Sequence, residues 1–526
     1  MECAIGQFDS RGPIESWNIS PAFRGVGCMM VIYSAFVGIY YNVIIAYAIY
    51  YFFSSLTSTE NLPWVGCNSH WSDPATCAMM NSNTSTALAN GSSVSDSEQY
   101  FNNHVLQLQG MDEEGAHDIN YKIVVSLIVA WTVVFFSLIK GIKSSGKVVW
   151  FTALFPYFVI LILLIRGCTL PGARAGIDYY IGRTSDLSKL KDINVWRKAA
   201  SQIFFSLSAG WGGVQALSSY NTFKNNCYKD ALIVSIANCC TSVIAGFAIF
   251  SILGYMSLML DVAVPDVVKS SFGLAFIAYP TAMSQIPGGP FWCCLFFLML
   301  FTLGLDSQFT ILETVATALC DYHKIFRHNR TALMGALSMG MFLVGLICCT
   351  NAGLHWVDLI DSYVGGWAIM MSTVIEIIVL GTVYGGGLPA WIKGDNEPLC
   401  EDIEMMIGKR SKMWWFFWKL NWYLISPAIM IGLLIGSWVK YDGGDFPPWA
   451  QGVGWFFIVL GLIWLPVYFV IEVVITVKAG KKWTAVFRPN DEWGPDQDQH
   501  RALCPTKRYK LVGDGTTGAD NAGFSS

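Results

Sequence analysis

The sequence predicts an all-α polytopic membrane protein, and three observations carry that prediction: its apolar composition, the number of long apolar runs, and where its basic residues fall. Of the 526 residues, 54% are apolar and only 13% are charged, against roughly a quarter charged in soluble domains. A soluble chain of this length would divide into several domains, each needing a charged surface to cover it. Here the charges gather in short clusters between apolar runs of about 18 residues or more, the length that crosses a bilayer. A net charge of −4 marks no basic face and speaks against a nucleic-acid partner.

Ten spans follow, near residues 24–55, 120–140, 148–166, 197–220, 229–259, 290–318, 332–350, 354–384, 413–438 and 450–478. Several exceed the ~20 residues needed to cross, which implies tilt or extension beyond the bilayer. The loops between them set the orientation. Lys140, Lys143 and Lys147 fill one short loop, and Lys224 and Lys229 another. Lys324, Arg327 and Arg330 fill a third, and Lys409, Arg410 and Lys412 a fourth. The longest loop, 56–119, contains no lysine or arginine. The positive-inside rule therefore places the basic loops in the cytoplasm and 56–119 outside the cell. With an even number of spans, both termini are expected to be cytoplasmic, with residues 1–478 as the membrane domain and 479–526 as a largely disordered tail.

The outer loop has its own chemistry. Cys67 and Cys77 sit among Trp, Ser, Asp and Pro with no helical period. In an oxidising compartment such a pair predicts a disulfide, the alternative being two free thiols. Asn83 and Asn90 stand in glycosylation sequons in the same loop, and topology places that loop outside independently. Asn18 and Asn329 also stand in sequons, but on the side expected to be cytoplasmic. The adjacent pairs Cys239/Cys240, Cys293/Cys294 and Cys348/Cys349 lack metal-ligand spacing and read as small core hydrophobes. No metalloprotease helix, phosphate-binding glycine loop or nucleophile elbow is present, so an enzyme reading has little to stand on.

Polar residues inside the spans are the remaining functional signal, because they are costly there. The span 197–220 carries QIFFSLSAGWGGVQALSSYN, with Ser206, Ser208, Gly210, Gly212 and Gly213 near its middle. Glycine weakens a helix and serine competes for backbone hydrogen bonds. One outcome is a break whose freed backbone lines a cavity, as in secondary transporters; the other is a small-residue packing face. The span 290–318 carries LFTLGLDSQF, with Asp306 beside Ser307 deep in an apolar run. A carboxylate, a hydroxyl and nearby carbonyls are hard oxygen ligands suited to a small hard cation, the alternative being an interhelical hydrogen-bond cluster. Asn238 and Ser242 stand one turn apart on one face, as do Gln202 and Ser206. Four neutral donors of this kind suit an anion such as chloride. Glu313 and Glu376 are also intramembrane, show no evident partner, and are expected to be structural.

At these residues the chain resembles the sodium- and chloride-dependent neurotransmitter transporter family. The segments that carry the resemblance are IYYNVIIAYAIYYFF, QIFFSLSAGWGG with SSYNTFKNNCYKDA, NCCTSVIAGFAIF with LGYM, LGLDSQF, CEDIEMMIG and FRPNDEWGP. They run from residue 1 to about 495. The resemblance implies an inverted-repeat fold of twelve helices, of which about ten are present here. Met1 opens MECAIGQFDSRGP, which corresponds to the end of the second family helix, so the resemblance implies that the first two helices are lacking.

Residue by residue, the resemblance implies a first sodium site at Ser206 and Asn238. It implies a second at the Leu303 carbonyl with Asp306 and Ser307. Chloride would meet Gln202, Ser206, Asn238 and Ser242. The substrate pocket would hold Val37, Tyr41, Phe205, Ser208, Trp211 and Ser307, with Tyr41 on the substrate carboxylate and Phe205 as lid. Asp361 would belong to the outer gate, and Asp321 with Tyr220 to the inner one, each acid pairing with an arginine in the missing region. The activity implied is symport of a small amino acid or similar neurotransmitter across the plasma membrane, with sodium and chloride co-transported. Glycine is favoured because SLSAGWGG and CEDIEMMIG most resemble the glycine branch, although LGLDSQF is closer to branches that carry GABA, taurine or betaine. The rival reading is a non-transporting fragment or isoform that acts through partners. A second copy of the chain and tail-binding proteins stay open as partners beside the substrate and the lipid bilayer.

Overall fold

The computed structural model describes residues 1–57, 62–73, 76–78, 94–139, 142–260, 263–267, 273–386, 397–439, 441, 443, 446–504 and 509. Its main helices, in chain order, are α1 (Glu2–Asp9), α2 (Arg24–Leu56), α3 (Tyr121–Leu138), α4 (Ile142–Cys168), α5 (Ile193–Ser206) and α6 (Gly213–Ser218). Then follow α7 (Cys227–Leu260), α8 (Gly289–Tyr322) and α9 (Arg330–Gly345). The set closes with α10 (Gly353–Tyr384), α11 (Pro398–Ile407), α12 (Lys412–Val439) and α13 (Pro448–Lys478). Among the described residues the only strands are Cys77–Ala78 and Val94–Ser95, one short parallel pair.

Nine stretches are long and apolar enough to cross a membrane among the described residues. They match nine of the ten expected spans. The tenth, 197–220, is divided between α5 and α6, which settles the sequence alternatives there in favour of a break. Helices α2, α8 and α10 are buried over most of their length, whereas few residues in the most apolar stretches of α7, α12 and α13 are buried. Close approach of α2 and α8 depends on small residues. A Cβ on Gly304 would lie 2.6 Å from Ile45 Cγ1, and one on Gly38 would lie 2.9 Å from Ile311 Cγ2. Such gaps let two membrane helices pack backbone against backbone. The Gln308 amide then donates to the Gly38 carbonyl at 3.1 Å, tying the pair where no water could.

The two ends of the bundle differ. At one end Cys67 and Cys77 form a disulfide, with 5.8 Å between their Cα atoms. There the Trp64 indole donates to the Pro280 carbonyl at 3.2 Å. Asn83 and Asn90 lie outside the described residues. Near the same end His104 is held well below the usual imidazole range, at about 4, by burial and by the neighbouring Lys122 and His70.

At the other end the described residues of the tail, 479–504 and 509, pack on the bundle, while the rest of 479–526 lies outside the described residues. The Trp493 indole donates to Tyr384 at 3.1 Å, and Tyr384 and Tyr509 both donate to Asp402. The Asn490 backbone and side chain reach Asn18 at 3.2 and 3.0 Å. Phe8 packs on both Trp493 and Tyr509, with centroids 5.6 and 5.7 Å apart. Aromatic surface supplies the apolar area that orders this segment. Asn18, whose sequon the topology discounted, is buried in this contact.

Three expectations need correcting. Glu313 has a partner, the Arg330 guanidinium, and a carboxyl–guanidinium pair at depth is what makes its burial tolerable. Glu376 faces Glu2. Cys239 and Cys240 are exposed on the open side of α7, so they are not core residues, whereas Cys293, Cys348 and Cys349 are buried.

Candidate functional site

The break between α5 and α6 is built from left-handed residues. Ser208 has φ 54°, Gly210 has φ 77° and Gly212 has φ 76°. Glycine adopts this region freely, whereas for serine it is a strained conformation that needs support from its surroundings. The freed backbone groups find partners on three other segments. The Gly210 amide donates to Glu2 Oε1 at 2.6 Å, and the Gly210 carbonyl accepts from Ser372 Oγ at 2.7 Å. The Trp211 carbonyl accepts from Ser34 Oγ at 2.9 Å. Each of these would otherwise be an unpaired group in a dry interior. The glycines and serines left a break as one of two outcomes in the sequence, and Glu2, Ser34 and Ser372 were not singled out. Nothing local to those positions marks them.

Four of the substrate-pocket candidates come together beside this break. Tyr41 and Phe205 have centroids 6.4 Å apart, and Phe205 meets the Trp211 ring edge-on at 4.8 Å. The Tyr41 hydroxyl faces the Ser307 hydroxyl. Val37 lies one turn before Tyr41 on α2 and is fully buried. Ser208 sits within the break, with its Cβ 3.1 Å from where a Cβ on Gly213 would be. Trp211 is 2% exposed and its indole N–H has no partner among the described residues.

The ion candidates divide into two sets. Ser206 Oγ accepts from the Asn238 amide at 3.0 Å, which brings α5 and α7 together. Ser242 Oγ donates to the Asn238 carbonyl at 3.0 Å, one turn on. Gln202, Ser206 and Ser242 are exposed, so this set lies on an open face. The second set is on α8. Asp306 is half-buried, with Ser307 beside it and Leu303 41% exposed one turn before. Asp306 accepts a hydrogen bond from Thr152 of α4, a residue that sequence reasoning did not single out. Among the described residues no lysine, arginine or histidine forms an ion pair with Asp306.

The gate candidates have partners other than those implied. Asp361 accepts from the Tyr40 hydroxyl at 2.6 Å. Asp321 pairs with Arg327 at 2.7 Å and accepts from the Gly12 amide at 2.6 Å. Its arginine is thus supplied by the short helix Lys324–His328 that follows α8. Tyr220 does not reach Asp321. Its hydroxyl lies 3.2 Å from Glu313 and 2.9 Å from Thr317, in the group that also holds Arg330. Glu313, Thr317 and Asp321 recur every four residues, so they form one stripe along α8. No group of three or more His, Cys, Asp or Glu residues able to hold a metal occurs among the described residues.

Comparison with known proteins gives the family. The model of the sodium:neurotransmitter symporter family matches residues 1–476. A human sodium- and chloride-dependent neutral and basic amino acid transporter B(0+) is 45% identical over 560 aligned residues, covering 99% of this chain and 84% of the relative. Its mouse counterpart is also 45% identical, covering 97% and 82%. A sodium- and chloride-dependent glycine transporter 1 from Xenopus laevis is 39% identical, covering 97% and 81%.

Proposed function

This chain belongs to the sodium:neurotransmitter symporter family, and from that premise we propose that it imports small neutral amino acids, glycine among them, across the plasma membrane. The family consists of membrane transporters rather than enzymes, with amino acids as cargo and sodium and chloride as co-transported ions. The observation that carries the reading is Asp306. A carboxylate in the middle of an apolar spanning helix, without a basic partner among the described residues, calls for a cation. Sodium held there by Asp306, Ser307 and the Leu303 carbonyl, and at Ser206 and Asn238, would drive the cycle. Chloride at Gln202, Ser206, Asn238 and Ser242 would balance charge. Both termini are cytoplasmic in this reading, Asn83 and Asn90 carry sugar outside, and Asp361 and Asp321 with Tyr220 serve the two gates.

The cargo would lie among Val37, Tyr41, Phe205, Ser208, Trp211 and Ser307. The buried Trp211 indole, edge-on to Phe205, fills volume that a large side chain would need, which supports a small substrate. A second reading, neutral and basic amino acids together, is favoured by the greater identity to the B(0+) relatives.

Uptake of labelled glycine, leucine and lysine into expressing cells decides between these readings. Sodium and chloride should be replaced in turn by inert ions. The proposal expects glycine uptake that needs both ions, with lysine a poor competitor and Trp211→Leu improving leucine relative to glycine. Lysine competing as well as glycine would establish the second reading. Uptake that is indifferent to sodium would overturn both.

A further inference from the structure

Thr152 stands in an unusual position on α4. Its side chain is buried, and its hydroxyl lies within hydrogen-bonding reach of two acceptors. One is the Val148 carbonyl in its own helix, at 3.1 Å, and the other is the Asp306 carboxylate across the helix interface. A hydroxyl carries one proton and two lone pairs, so it can serve only one of these acceptors fully at a time. Four residues on, Pro156 lies inside the same helix. Proline has no N–H, so the Thr152 carbonyl lacks its usual helical donor and the helix is weakened at this turn. Polar and ionisable groups at membrane depth are retained mainly where they line a functional path.

We propose that Thr152 supplies a further oxygen ligand to the cation held at Asp306, and that its single proton moves between two acceptors as the cation comes and goes. Without the cation, Thr152 Oγ1 donates to Asp306 and takes up part of the carboxylate charge. With the cation present, the carboxylate faces it, and the hydroxyl turns its proton to the Val148 carbonyl. Its lone pairs then join those of Asp306 and Ser307 as hard oxygen donors, the set a small hard cation prefers. Turning the hydroxyl replaces one hydrogen bond with another, so little is lost when the cation leaves. Helix α4 thereby joins α8 in holding the ion. The inference rests on the reading of Asp306 as a cation ligand.

The test uses Thr152→Val, which keeps the shape and removes the hydroxyl, and Thr152→Ser, which keeps the hydroxyl. Two readouts are needed: the half-saturating sodium for amino-acid uptake, and the sodium-induced rise in unfolding temperature of purified protein at constant ionic strength. Thr152→Val should raise the half-saturating sodium about tenfold, the worth of one well-placed ligand hydrogen bond. It should also shrink the sodium-induced thermal shift while leaving the chloride requirement unchanged. Thr152→Ser should behave as the parent does. Should the valine variant fail to reach the membrane, Thr152→Ala replaces it with the same readouts. Unchanged sodium dependence in the variants lacking the hydroxyl overturns the role of Thr152, as does equal impairment of Thr152→Ser. Asp306→Asn separates the two levels. If it keeps the parent's sodium dependence, the reading of Asp306 itself fails. If it abolishes sodium binding while Thr152→Val does not change it, only the inference about Thr152 fails.

Discussion

The broken segment α5–α6 and the unbroken helix α8 meet at the same candidate site but present chemistry in opposite ways. The break offers backbone: the Gly210 amide and the Gly210 and Trp211 carbonyls, each matched by a side chain from another segment. Helix α8 keeps a regular helical backbone and offers mainly side chains, Asp306 and Ser307 at mid-span beside the Leu303 carbonyl, and Glu313, Thr317 and Asp321 beyond. Backbone ligands need a scaffold that holds an irregular conformation, so their geometry depends on distant residues. Side-chain ligands on a continuous helix inherit their geometry from the helix itself. Substitutions in the break should therefore damage folding, while those on α8 should damage ion binding more selectively.

The largest contrast is expected between two glycines. Gly210 has φ 77°, and an added Cβ would lie 2.5 Å from Thr373 Oγ1. Gly210→Ala should destabilise the protein by about 3 kcal/mol, the left-handed penalty and the crowding together. Gly304 lies within a regular helix, and its added Cβ would meet only the Ile45 side chain at 2.6 Å. There a gain in helix propensity of ~1 kcal/mol offsets much of the crowding. Thermal unfolding of the two purified variants measures both effects. Adding Ile45→Ala should rescue Gly304→Ala, whereas Thr373→Ala should rescue Gly210→Ala only in part. Complete rescue of Gly210→Ala would mean that the left-handed backbone is dispensable.

The same contrast explains what could be read from the sequence. The spans were legible because apolar length is a local property, and nine of them recur as helices. A break was one of the two readings of its segment because Gly210, Gly212 and Gly213 fall within four residues of one another. Asp306 was legible because a lone carboxylate stands out against an apolar run. Glu2 was not, since it lies 208 residues from the amide it meets. Arg327 and Arg330 were read only as topology signals, although they pair with Asp321 and Glu313. Thr152 could have been found by its place four residues before a proline inside a span. The contacts of the described tail residues were not legible, because a polar composition conceals the few aromatic residues, Trp493 above all, that make them.

A smaller effect is expected at Glu2. Its carboxyl accepts the Gly210 amide, and removing an acceptor from a buried donor costs about 1–3 kcal/mol. Glu2→Ala should lower the unfolding temperature accordingly. Glu2→Gln retains a carbonyl oxygen for the amide and should recover most of the loss. Equal damage from both would show that the negative charge, rather than the acceptor, holds the break.

The smallest contrast compares two hydroxyls. Ser372 Oγ donates at 2.7 Å to the Gly210 carbonyl, which the break has deprived of a helical donor. Thr310 Oγ1 donates at 3.2 Å to the Asp306 carbonyl, which lies inside the continuous α8 and keeps its helical bond as well. Ser372→Ala therefore leaves a buried acceptor bare and should cost about 1 kcal/mol. Thr310→Ala removes a second, redundant bond, of the kind that slightly strains a helix, and should change stability by less than about 0.5 kcal/mol. Both variants remove one hydroxyl from a spanning helix, so the difference between their unfolding temperatures isolates the state of the carbonyl each had served. If the two costs were equal, the Gly210 carbonyl would have another donor, and the break would depend on its neighbours less than its geometry implies.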